Sequence, residues 1–173
     1  LHLRLALPKK DTVMPLSGKF GAGFDEAIAL LKFARPVAAK LGLCFHVGSQ
    51  CLDAENYDAA LRYARKLVDI SGVQIDSIDV GGGFPGEYTN SQGQVMGQYF
   101  ESIRYGLQKL SLPEDCRVLC EPGRALCVDG ESLITQVHLR KNDAVYLNDG
   151  MYGSFIEEKY KLHLPVRMVA TRS

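Results

Sequence analysis

The order in which its hydrophobic periodicities follow one another constrains this chain most. Short apolar runs alternate with longer segments of helical spacing, through four strands. Leu1 to Leu7 reads as the first, followed by a loop-rich stretch from Pro8 to Gly23 and a helix over Asp25 to Ala34, with Ile28 and Leu31 on one side. Pro36 breaks or kinks that helix before Val37 to Leu41, and Gly42 closes the unit. Leu43 to Val47 is the second strand. A helix follows with Asp53 as its N-cap, Tyr57, Ala60, Leu61, Ala64, Leu67 and Val68 at helical spacing, and Gly72 at its end. Ile75 to Val80 runs into a glycine loop ahead of a third helix, Met96 to Leu110, with Tyr99, Ile103, Leu107 and Leu110 inward. Arg117 to Cys120 is the fourth strand.

Strand–helix alternation of this kind implies a parallel sheet with right-handed crossovers. Near Leu126 to Gly130 the pattern changes. Ser132 to Leu139, Ala144 to Leu147 and Val166 to Val169 read as strands with no helix between them. The expected division is an α/β unit over 1–127 and the start of a β-rich second unit over 128–173. The 173 residues suit one ordinary domain, but fall short of the ~250 of a complete eight-stranded β/α barrel. Both ends fall in apolar, strand-like runs, so the chain is expected to be a piece of a larger fold. Four β/α units alone would leave two sheet edges unpaired, which predicts inactivity and association in isolation.

Composition removes several functions. With Lys plus Arg at 20 against Asp plus Glu at 20, there is no basic excess to grip nucleic acid or an anionic membrane surface. No apolar run approaches the ~20 residues of a membrane span. Cys44, Cys51, Cys116, Cys120 and Cys127 are scattered, with no Cys-x-x-Cys spacing. No metal site is expected, and the thiols fit a reducing, cytoplasmic setting.

In parallel β/α architectures, ligands bind at the carboxyl ends of the strands. At those ends this sequence places Arg4, then His46 and Ser49, then Gly81-Gly82-Gly83, then Glu121-Pro122-Gly123-Arg124. Successive glycines let backbone amides approach an anion closely. Gly81-x-Gly83-x-x-Gly86 matches the dinucleotide fingerprint letter for letter, but that site needs a helix opening within the glycine run. Pro85 and a loop through Gly93 intervene, so a dinucleotide site is rejected and a phosphate turn is expected. Arg124 and the Gly123 amide suit an anion. Glu121 suits a cationic ring nitrogen, whose protonated form a carboxylate favours. The His46 ring can stack on an aromatic group, and the Ser49 hydroxyl can donate to a phosphate. Arg4 needs an anionic or hydrogen-bonded partner if it points inward, and none if it faces out.

These residues carry a resemblance. Gly18-Lys19-Phe20-Gly21, Phe45-His46-Val47-Gly48-Ser49-Gln50, Asp79-Val80-Gly81-Gly82-Gly83-Phe84-Pro85-Gly86, Glu121-Pro122-Gly123-Arg124 and Asn148-Asp149-Gly150-Met151-Tyr152-Gly153-Ser154-Phe155 occur in that order. Together they resemble the pyridoxal-phosphate-dependent ornithine/diaminopimelate/arginine decarboxylases of the alanine-racemase-like fold, and are most similar to ornithine decarboxylases. The resemblance implies an α/β fold, the C-terminal half of a (β/α)8 barrel followed by the start of a β-rich domain. It implies that His46 stacks on the pyridoxal 5'-phosphate ring and that Ser49, Gly82, Gly83, Gly123 and Arg124 bind its phosphate. Glu121 would pair with the pyridine nitrogen, and Arg4 would lie near the cofactor. His46 and Glu121 are thus the implied catalytic residues.

The implied reaction is decarboxylation of a small basic amino acid, ornithine to putrescine first and lysine next, in a homodimer with shared active sites. Diaminopimelate and a non-catalytic role of the antizyme-inhibitor type are the alternatives. The family's Schiff-base lysine belongs on an early barrel strand upstream of Leu1, and Lys19 occupies a different family position. Where relatives carry Tyr-Asp to bind the distal amine, this chain has Tyr160-Lys161. Glu157 and Glu158 are the nearest acids, expected as a solvated helical turn with Lys161.

Overall fold

The computed structural model describes residues 1–8, 18–110 and 112–169. Most of the expected loop between Pro8 and Gly23 lies outside the described residues. Four parallel strands form one sheet in the order β1 (His2–Arg4), β2 (Gly42–Cys44), β3 (Ser77–Asp79) and β4 (Arg117–Leu119). Helices α1 (Phe24–Ala34), α2 (Glu55–Ser71) and α3 (Met96–Gln108) connect them in turn. The register is unbroken: Arg4 pairs with Cys44, Cys44 with Asp79 and Asp79 with Leu119. Among the described residues β1 and β4 each have one neighbour, so the sheet is open at both sides.

Side chains alternate across a strand, and this alternation separates core from site. Leu5, Leu43, Phe45, Ile78 and Val80 point towards the helices and are almost fully buried there. Against them α2 sets Tyr57, Ala60, Leu61, Ala64 and Leu67, the stripe its sequence predicts. From α3 come Tyr99 and Ile103. Gly106 lets α2 and α3 close up, since a Cβ there would sit 2.6 Å from Leu61 Cδ1. Arg4, Cys44, Asp79 and Leu119 share the opposite face of the sheet, the one away from the helices.

Several boundaries differ from expectation. The strands are three residues long because the chain turns into its ligand-side loops sooner than the apolar runs suggest. Helix α1 ends at Arg35, and a turn rather than helix follows Pro36. The N-cap of α2 is Ala54, not Asp53, whose carboxylate instead accepts the Glu55 N–H at 2.9 Å. A short α4 (Arg124–Cys127) follows β4. Beyond it, β5 (Val137–Lys141) and β6 (Ala144–Leu147) form an exposed antiparallel hairpin. Among the described residues, Ser132 to Gln136 are not strand, and Val166 to Val169 form none. A 3-10 turn, Ile156–Tyr160, follows the hairpin, and Leu162 just beyond it is 1% exposed.

Candidate functional site

The carboxyl ends of β2, β3 and β4 open into three loops that are hydrogen-bonded to one another. Carbonyls of the glycine run are turned back into the protein. Gly81 O accepts from Glu121 N–H at 2.9 Å, and Gly83 O accepts from Cys51 N–H at 2.9 Å. Gly82 O accepts from the buried Tyr57 hydroxyl at 3.1 Å. The Gly81 amide donates to Asp79 Oδ1 at 2.8 Å. The Gly82 and Gly83 amides meet no acceptor among the described residues. The run therefore presents donors while its acceptors are satisfied, which is the polarity an anion requires.

Steric demand explains the glycines. A Cβ at Gly82 would lie 2.7 Å from Glu121 O and 3.0 Å from His46 Nε2. Gly83 has φ +111°, and a Cβ there would come 2.5 Å from Gly48 O. Gln50, which follows Ser49, holds φ +53° and is 1% exposed. Its side-chain amide clamps Gly86, donating from Nε2 to Gly86 O at 2.7 Å and accepting Gly86 N–H on Oε1 at 3.0 Å. Phe84 stacks on Tyr57 with ring centroids 5.0 Å apart, which ties the same loop to α2.

His46 is half-buried, and its Nδ1 accepts the Gly48 N–H at 3.0 Å. A nitrogen that accepts carries no proton, so the Nε2–H tautomer faces Gly82. Burial first, and the Arg4 charge second, hold the ring below its ordinary pKa of 6.5. It is neutral at physiological pH. Arg4 is on the same sheet face, half-buried, with its guanidinium 4.9 Å from the Phe20 ring centroid. Arg4 thus lies on the face away from the helices, with the Phe20 ring rather than an anion as its neighbour among the described residues. Glu121 stands beyond β4, with its side chain exposed and its backbone against Gly82. Gly123 precedes α4, and a Cβ there would meet nothing within 4 Å, so no packing demand explains that glycine.

Arg124 does not pair with Glu121 across the turn. Its Nη1 donates to Glu157 Oε1 and to the Tyr88 hydroxyl, and its Nη2 to Ser49 Oγ at 3.4 Å. Tyr88 in turn donates to Glu157 Oε2 at 2.6 Å. Burial, then the Glu157 bond, push the Tyr88 hydroxyl up to about 12. Glu157 is held below the usual carboxylate range by Tyr88 and Arg124, although burial opposes them. This corrects the expectation of a solvated Glu157. A partly buried guanidinium needs a counter-charge, and Glu157 is the acid that reaches it. Glu158 pairs with His163 Nδ1 at 2.8 Å, and Lys161 ends the 3-10 turn in a left-handed conformation. Neither acid carries a free carboxylate as a distal-amine acceptor here.

The structure thus brings His46, Ser49, Gly82, Gly83, Glu121 and Arg124 together, with Arg4 beside them. Sequence spacing gives no sign of the roles of Gln50 and Tyr88, nor of Glu157 as the partner of Arg124. The need of a buried Tyr57 hydroxyl for a partner is a signal the sequence did contain. Pyridoxal phosphate fits these residues. The Nε of Arg124 is buried with no acceptor among the described residues, directly beside Ser49 and near a glycine run that offers free amides.

Comparison with known proteins bears on the fold and the cofactor. Residues 1–128 match the family described as pyridoxal-dependent decarboxylase, pyridoxal binding domain. A lysine/ornithine decarboxylase of Selenomonas ruminantium is 35% identical over 161 residues, covering 88% of this chain and 40% of that protein. The crystal structure of lysine/ornithine decarboxylase complexed with cadaverine from Vibrio vulnificus superposes with a TM-score of 0.71 at 32% identity, covering 85% of this chain and 42% of that one. Diaminopimelate decarboxylase from Helicobacter pylori, complexed with L-lysine, gives 0.74 at 27% identity, covering 99% of this chain and 46% of the other. The chain spans under half the length of these relatives.

Proposed function

We propose that this chain, which belongs to the pyridoxal-dependent decarboxylase family, supplies the phosphate-binding half of the active site of a basic amino-acid decarboxylase. Ornithine is the proposed substrate and lysine the second choice, since the relatives' names span both. Residues 1–127 would be the C-terminal half of a β/α barrel and 128–173 the start of a β-rich domain. The working form would be a cytoplasmic homodimer. Pyridoxal phosphate, when bound, supplies the electron sink for loss of carbon dioxide from the α-carbon.

The chain's own residues divide the remaining work. Ser49, Gly82, Gly83, Gly123 and Arg124 hold the phosphate. His46 offers a neutral ring face, and its lowered pKa keeps a second positive charge away from a cationic pyridine. Glu121 stabilises the protonated pyridine nitrogen, because a carboxylate at contact raises that nitrogen's pKa. Arg4 disfavours protonation of His46 from the adjoining strand.

One observation carries the proposal: Ser49 and Arg124 meet beside the glycine run, with Arg124 Nε buried and without an acceptor. The test, made on the whole decarboxylase to which this half of the site is proposed to belong, is titration with pyridoxal phosphate, borohydride trapping, and carbon dioxide release from ornithine, lysine and diaminopimelate. Cofactor binding with release from ornithine in preference to the others is expected. No bound cofactor at saturation overturns the cofactor reading. Binding without decarboxylation of any of the three overturns the catalytic one.

A further inference from the structure

Arg124 is held by two residues that belong to none of the motifs at the strand ends. Tyr88 lies in the loop after the glycine run and is 3% exposed. Glu157 lies in the 3-10 turn, far along the chain. Together with the guanidinium they close a ring of three hydrogen bonds. Nη1 donates to both, and the Tyr88 hydroxyl donates to the second carboxylate oxygen at 2.6 Å. The Tyr88 ring also lies under the guanidinium, 5.6 Å from centroid to Cζ.

This arrangement consumes one end of the guanidinium and spares one edge. Nε–H and Nη2–H lie on the same edge of an arginine, the edge that grips phosphate or carboxylate with two parallel bonds. Glu157 is not on that edge. There, Nη2 reaches Ser49 Oγ at 3.4 Å, and Nε is buried with no acceptor among the described residues. A carboxylate acting as a rival for the anion site would take the two-pronged edge. Glu157 instead takes Nη1, and its other oxygen is committed to Tyr88.

We propose that Glu157 and Tyr88 are positioning residues for Arg124: they hold its Nη1 end so that the Nε–Nη2 edge faces Ser49 as a preformed phosphate grip. The inference rests on the pyridoxal-phosphate reading above. It adds a role for the segment after Phe155, in which the family's Tyr-Asp pair is replaced by Tyr160-Lys161. Fixing a long side chain before the anion arrives removes the ordering cost from binding.

The test compares pyridoxal phosphate with pyridoxal, which lacks the phosphate, by absorbance titration of the whole decarboxylase and of its variants Glu157→Ala, Glu157→Gln and Tyr88→Phe. Glu157→Ala should weaken pyridoxal phosphate about tenfold, the effect of losing a charge-assisted bond, and leave pyridoxal unchanged. Glu157→Gln keeps an acceptor oxygen and should recover most of the loss, while Tyr88→Phe should lose less than Glu157→Ala. Thermal melts of each variant report folding. Tighter binding by Glu157→Ala would make Glu157 a rival of the phosphate and overturn the proposal, as would unchanged binding. An equal loss for both ligands would mean that Glu157 supports the fold, which also overturns it. A parent chain that binds neither ligand would sink the cofactor reading itself, a failure visible before any variant is made.

Discussion

Replacing Gly82 by alanine isolates the steric part of the site from backbone strain, because Gly82, unlike its two neighbours, has no positive φ. The added Cβ would meet Glu121 O at 2.7 Å and His46 Nε2 at 3.0 Å. Contact with the carbonyl is thus about 0.7 Å too close, taking 3.4 Å as the start of ordinary contact. The carbonyl cannot retreat freely, because the same residue's amide is bonded to Gly81 O at 2.9 Å and Val80 N–H is bonded to Leu119 O at 2.9 Å. The His46 ring is also restrained, its Nδ1 holding Gly48 N–H. Overpacking against restrained neighbours costs about 1–3 kcal/mol. In a domain of this size that is roughly 2–4 °C of melting temperature per kcal/mol.

Both groups that must yield are proposed cofactor contacts, so pyridoxal-phosphate affinity should fall at least about tenfold, equivalent to ~1.4 kcal/mol. Calorimetry and absorbance titration of the whole decarboxylase measure the two effects together. Gly81→Ala is the comparison, with φ +68° and a Cβ that would collide with Phe45 O. It should destabilise more than Gly82→Ala. Parental affinity and melting temperature in Gly82→Ala would refute the cradle.

Other consequences follow from the same contacts. The folded-state pKa of His46 is depressed, so its contribution to stability is complete above 6.5 and is lost as pH falls from there towards the folded value. His46→Gln should remove that part of the slope in urea unfolding at graded pH, and Arg4→Met should raise the His46 pKa in an NMR titration. Gln50→Leu leaves the buried Gly86 N–H and C=O without their partners, and should cost about 2–4 kcal/mol in urea melts. Tyr57→Phe strands Gly82 O, and should cost about 1–2 kcal/mol with the aromatic stacking intact.

What was legible in the sequence follows from which interactions are local. Helix α2 could be read because its buried stripe repeats every turn, from Tyr57 to Leu67. His46, Ser49 and Gly81 to Gly83 could be placed at the strand ends because they follow directly on the apolar runs, and strand ends are where parallel sheets put ligands. Arg124 could be placed after β4 for the same reason, but its partner could not. Glu157 lies 33 residues further on, and no periodicity or spacing joins the two. Val166 to Val169 is apolar enough for a strand, yet a strand requires a neighbour that local sequence does not specify. Gln50 shows the same limit at one residue. Its left-handed φ and its clamp on Gly86 exist only once two loops have met.

The cradle and the fold are consequently knitted by the same bonds. The three glycine carbonyls are tied to the loop after β4, to α2 and to the loop after β2, so the loops cannot separate without exposing buried acceptors. An anion that engages Ser49, Arg124 and the Gly82 and Gly83 amides links the same three loops from the other side. Binding should then stabilise the chain by about 2.7 kcal/mol at a hundredfold excess over Kd. Hydrogen exchange should show that gain concentrated where the linkage lies, in residues 48–51, 81–86 and 121–124. Helix α1 shares no hydrogen bond with those loops among the described residues and should change little. Protection spread evenly over the helices would mean that ligand binding merely reports global stability, and would break the argument that the phosphate grip and the loop junction are one structure.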